Sequence, residues 1–156
     1  MFDAGVYIWS NSYLLTIMQT LFEQPGFAIL HDTDHCWLYV TWQGKRSGQS
    51  SQACCEAILE QVRATQSHKI LNDGSLDLDG WGDVVAWIGQ DFFDLLADAG
   101  VVAVAWVMPR NLRALTDVNK VVTAVTRPAV STFADTEAAC TWLDKSPGLS
   151  QNPVAC

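Results

Sequence analysis

The sequence predicts a single α/β domain: a mixed sheet of four to five strands that begins with an antiparallel hairpin, and about four helices. Three observations carry that expectation. Two apolar runs, "FAIL" (27–30) and "WLYVTW" (37–42), bracket the turn "HDTDH" and read as a hairpin. From Ser51 onward, helix-period segments alternate with short β-branched runs, the pattern of right-handed crossovers and a largely parallel sheet. The 156 residues are one domain's worth of chain, and 49% hydrophobic against 17% charged side chains suits a buried core.

Taken in order, "MFDAGVYIWSNSYLLTI" (1–17) lacks the basic start of a secretory signal, carries Asp3 and is interrupted by "SNS". It is expected to be an extension outside the core domain (18–146), which "MQTLFEQPGFAIL" opens; a polar tail (147–156) closes the chain. After the hairpin, Gly44 to Ser51 is a polar loop with serines able to cap a helix. Cys55, Ile58, Leu59 and Val62 then share one helical face, opposite Glu56, Glu60 and Arg63. "KIL" (69–71) is a short strand, with Asn72, Asp73 and Gly74 turning the chain after it. Trp81, Val84, Val85, Ile88, Phe92, Leu95 and Leu96 recur at helical spacing until Gly100. "VVAVAWVM" (101–108) is apolar throughout, as for a strand covered on both faces. Residues 111–126 form a third helix with Leu112, Leu115, Val118 and Val122 inward. "AVSTF" (129–133) is the last strand, and Asp135 caps the final helix "TEAACTWLDK".

Nine basic against seventeen acidic residues give a net charge of −8, a field that repels phosphate backbones and anionic membranes. Nucleic acid is therefore excluded as a natural partner, and no apolar run reaches the roughly 18 residues of a membrane span. Five cysteines without CxxC or Cys/His spacing argue against a zinc site or disulfide framework and fit reduced thiols in a cytoplasm. Cys54 and Cys140 read as small apolar helix residues. His31, His35 and His68 share no ligand spacing, and no cofactor is implied.

The stretch "KILNDGSLDLDGWGD" (69–83) concentrates the candidate chemistry. Ser75, Asp77, Asp79, Gly80 and Asp83 imitate part of a calcium loop, but Ala86 stands where a bidentate glutamate belongs. Asp73, Asp77 and Asp79 could serve a metal-dependent hydrolase, although no nucleophile accompanies them. The plainer reading is a loop that turns the chain, with Asp79 or Gly80 capping the next helix and Asp83 in its first turn. Between Ile70 and Pro109 there is no Lys, Arg or Glu, while Asp83, Trp87, Gln90, Asp91, Asp94 and Asp98 share one helical-wheel face. Trp87 among carboxylates either lies flat on its own helix or beneath the N-terminal extension, or has the composition of an interface hot spot. Arg110, Arg113, Lys120 and Arg127 cluster around the third helix; the ordinary reading is a solvated, mildly basic helix, and beside it an acidic and a basic helix could pair between copies in a homodimer or recruit an anionic ligand.

The element order, with "WLYVTWQG", "KILND", "VVAVAWV" and "AVSTFADTEAACTWL", resembles the SpoIIAA-like members of the STAS/SEC14 superfamily, most of all a bacterial group of short stand-alone domains. The similarity covers roughly residues 20–145. It implies a non-enzymatic domain acting as a phospho-regulated protein-binding switch or holding a small or lipid ligand. In the STAS-type antagonists, the phosphorylated hydroxyl lies in an Asp-Ser-[Ser/Thr]-Gly turn at a helix start. Here Asn72-Asp73-Gly74-Ser75 supplies Asp73 and Ser75 but no tandem serine, and the helix starts later, near Trp81. The expectation is a non-catalytic domain that meets a protein partner or small apolar ligand through Asn72, Asp73, Ser75, Trp87, Asp91, Asp94, Arg110 and Arg113. A metal-dependent hydrolase and a lipid carrier stand beside it as alternatives.

Overall fold

A computed structural model of the chain describes residues 6–8, 17–46 and 48–147. Seven strands form one mixed sheet in sequential order. They are β1 (Val6–Ile8), β2 (Ile17–Gln24), β3 (Phe27–Asp32), β4 (Trp37–Gly44), β5 (Lys69–Asp77), β6 (Ala103–Val107) and β7 (Ala129–Phe133). β1 to β4 run antiparallel to their neighbours, and β4 to β7 run parallel. The predicted hairpin is therefore present, but the sheet has more strands than the four or five expected.

β2 escaped the sequence reading because its alternation is broken. The ladder slips between Thr20 and Phe22, a bulge that lets Leu21 and Phe22 both pack on the core. The Pro25-Gly26 turn joins β2 to β3, with Gly26 at φ 80°, the left-handed value a Pro-Gly turn requires. β5 is likewise longer than "KIL". Asn72 and Asp73 pair with Val40 and Thr41 on one side and with Trp106 and Val107 on the other. Two flanking strands satisfy this backbone on both edges, and that overrides the turn propensity of Asn-Asp-Gly.

The helices are α1 (Gly48–Thr65), the short α2 (Val85–Trp87) and α3 (Phe93–Asp98), α4 (Leu112–Ala124) and α5 (Thr136–Lys145). α1 begins before the serines that were expected to cap it, and Ser51 is buried. α2 and α3 belong to one irregular run, 82–98, made of a 3-10 turn Gly82–Val84, α2, a π-helical turn Ile88–Phe92, and α3. Successive right-handed crossovers that always add the next strand on the same side put α1, the 82–98 run and α4 on one face. That face holds the larger core, including Trp42, Trp81, Trp106, Phe92 and Phe93. α5 packs Ala139 and Leu143 against Leu71, Ala105 and Val107 on the opposite face. Among the described residues, no helix is long and apolar enough to cross a membrane.

Two helix phases differ from expectation. α4 buries Ala114, Asp117, Val118 and Val121, while Leu112 is 76% exposed. In the 82–98 run Phe93 is buried and Leu95 is exposed, because the π turn adds a residue and rotates the α3 segment after it. Cys54 and Cys55 are buried free thiols, and Cys140 is half-buried. Cys36 is disulfide-bonded, so reduced thiols throughout is not the state found.

Candidate functional site

The aspartates of the 69–83 stretch go to separate tasks. Strand alternation sends Asp73 to the α5 face, where its carboxylate accepts the Tyr39 hydroxyl at 2.9 Å and the Ser75 backbone N–H at 3.0 Å. Asp77 is turned toward the Arg46 guanidinium, which donates to it twice, at 2.8 and 3.2 Å. Arg46 lies over the rings of Trp42 and Trp81, at 4.7 and 5.2 Å, on the larger-core side. The Asp79 carboxylate accepts the Arg46 backbone N–H at 2.6 Å, and the Asp79 backbone N–H donates to Asp77. Asp73, Asp77 and Asp79 thus do not converge. Among the described residues, no group of three or more His, Cys, Asp or Glu could hold a metal ion.

Neither Asp79 nor Gly80 caps the next helical run. That role falls to Asp117 of α4, whose Oδ2 accepts the N–H groups of Trp81 at 3.0 Å and Gly82 at 3.3 Å. Gly80 is at φ 68°, and a Cβ there would stand 2.7 Å from the same Oδ2, so only glycine lets the loop lie so close. Asp83 does occupy the first turn.

The other expected contact residues are dispersed. Asn72 is buried and accepts the Trp42 indole N–H at 2.8 Å, out of reach of a ligand. Trp87 does not project among carboxylates: it is half-buried, packed against the core and stacked on Phe92 at 5.6 Å. The wheel that grouped it with Asp91 and Asp94 assumed uninterrupted α-helix, and the π turn breaks that phase. Asp94 is tied with Asp98 to Arg127, at 3.0 and 2.8 Å, within the same chain. Asp91 is exposed, as are Arg110 and Arg113 beside the start of α4.

Asp73 and Ser75, by contrast, stand together on the wall of an open cleft of about 500 Å³. α5 covers the β5–β7 part of its face and leaves the β2–β4 part to this cleft. Five hydroxyl side chains line it, those of Thr20, Tyr39, Thr41, Ser75 and Thr136, with the carboxylates of Glu23 and Asp73. Ala28, Leu30 and Leu76 supply apolar surface, and no Lys, Arg or His is among the lining residues. Burial, with the Asp73 carboxylate beside it, holds the Tyr39 phenol proton well above its ordinary range, so that hydroxyl stays a donor. Each Asp73 oxygen takes one of these bonds and keeps lone-pair capacity for a ligand.

Sequence reasoning missed Thr20, Glu23, Tyr39, Thr41 and Thr136. One signal was available: in "WLYVTWQG", Tyr39, Thr41 and Gln43 alternate with buried Leu38, Val40 and Trp42, which marks a polar sheet face. A cavity of about 20 Å³ beside Trp81 and Trp106 has room for roughly one water and none for an acyl chain. No protein family, curated protein or solved structure matches the chain.

Proposed function

We propose that this protein is a non-catalytic binding domain that takes a small polar ligand, neutral or cationic, in the cleft over β2–β5. The observation that carries the reading is the cleft lining: five hydroxyls and two carboxylates over apolar patches, without one basic side chain. Hydroxyls and ionised carboxylates offer acceptors and a local negative potential, which suit polyols and amines and disfavour anions. Concave sites with an apolar floor and a few polar groups are where small ligands bind. Asp73 and Ser75 keep the ligand-contacting role expected of them. The reading names a polar ligand because hydroxyls and carboxylates stand beside the apolar surface of Ala28, Leu30 and Leu76.

The test is an NMR titration of the folded protein with sorbitol, spermidine and citrate as probes. Saturable shifts for sorbitol or spermidine, confined to residues 20–43, 73–76 and 136, are expected, with none for citrate. Asp73→Asn with Thr41→Val should weaken that response while the far-UV spectrum stays native. Shifts that map elsewhere, or a preference for citrate, would remove the reading.

A further inference from the structure

Beyond the cleft, the loops that follow β5 and β6 meet at the start of α4. The loop after β5 crosses the first turn of α4: a Cβ on Gly80 would stand 3.5 Å from Arg113 Cγ and 3.6 Å from Ala114 Cα. The two most exposed large apolar side chains outside the cleft among the described residues adjoin this crossing in sequence: Leu78 at 49%, two residues before Gly80, and Leu112 at 76%, one before Arg113. Arg110 and Arg113, both exposed, flank Leu112 in sequence, and neither forms an ion pair among the described residues. Asp79 and Asp83 sit on the facing loop, half-buried and exposed respectively.

Two cations and two carboxylates here cancel, so the net charge of −8 resides on the rest of the molecule. Two copies of so acidic a chain repel each other over most relative orientations. At these four side chains the opposite signs offset each other, which lessens that repulsion locally. A two-fold interface must also be self-complementary, with the same patch serving both partners. An apolar centre with both signs of charge on its rim meets that requirement. Arginine is also among the residues in which interfaces are enriched over ordinary surface.

We infer that a second copy of this chain docks here, Leu112 and Leu78 packing across a two-fold axis while Arg110 and Arg113 meet the partner copy's carboxylates. The inference does not depend on the cleft or its ligand.

Sedimentation velocity over a concentration series tests it directly. The native protein should show a monomer–dimer equilibrium. Leu112→Asp should weaken the dimer by about tenfold or more, the size expected of a central interface residue. That side chain is largely in solvent, so the fold should persist, and circular dichroism checks it. The variant R110E/R113E should be monomeric, D83K weaker than native, and a mixture of the two should recover association through the swapped charges. A native protein that stays monomeric at every concentration overturns the inference. So does a dimer that Leu112→Asp leaves intact, or swapped variants that do not rescue each other.

Discussion

Arg46 belongs to the minority charge of this chain, nine basic residues against seventeen acidic, yet it lies inside rather than on the surface. Its side chain and that of Asp77 are each only 1% exposed, and the two meet at 2.8 Å. The guanidinium also lies over the Trp42 and Trp81 rings, while its Nε has no partner among the described residues. Desolvating both charges offsets much of their attraction, so the pair stabilises the fold mainly in the sense that neither member can be lost alone. Asp77→Ala should cost roughly 3–5 kcal/mol in urea unfolding, since it strands a buried cation. Replacing both partners, Arg46→Met with Asp77→Leu, should recover most of that loss. A cost for Asp77→Ala below about 1 kcal/mol would mean the pair behaves as if solvent-screened, against its burial. Nothing local in "LDLDG" distinguishes Asp77 from Asp79. Their difference comes from Arg46, 31 positions earlier in the chain.

At the scale of elements, the 82–98 run has no cap of its own. Its 3-10 start lacks a side-chain hydrogen bond from Trp81, and Asp117 of α4 supplies the acceptor instead. Burial alone would raise the Asp117 pKa, but the N–H groups of Trp81 and Gly82, with Lys120, outweigh it and lower the value. The stability linked to this group is therefore present above the ordinary carboxyl value of 3.8 and is lost as pH falls through the depressed one. Asp117→Ala should destabilise by about 1–2 kcal/mol at neutral pH, a cap's worth. Its unfolding free energy should also fall less steeply than native below that carboxyl value; parallel acid limbs would contradict the assignment. α1, β6, β7 and α5 were legible in the sequence because each is regular: α5 is Thr136–Lys145, capped by Asp135 as expected. β2, with its bulge, and the 82–98 run, with its π turn, were not, because periodicity arguments assume an unbroken period. The close approach at Gly89, where a Cβ would meet that of Ala124 at 3.0 Å, shows how tightly that π turn is set against α4.

Over the whole molecule, order should fall from the centre of the sheet to its edges. β6 is buried at all five positions and flanked on both sides, whereas β7, beside only one neighbour, is exposed or half-exposed throughout. Native-state hydrogen exchange should find the slowest amides in β4, β5 and β6 and faster ones in β7, as unfolding free energies spread between core and edge. Equal protection of β7 in dilute solution would point to a partner along that edge.

Composition and periodicity by themselves determined the α/β class, the hairpin, the parallel crossovers and most of the core, because burial of apolar faces follows from residue spacing. They also determined that this is an acidic molecule. Which aspartate would be paired, capping or open to a ligand was decided only by the tertiary structure. A carboxylate's role depends on the donors that face it. Beside local donors such as the Ser75 and Asp79 N–H groups, the ones that set these aspartates apart are Arg46, Tyr39, and the N–H groups of Trp81 and Gly82, brought from more than thirty residues away along the chain.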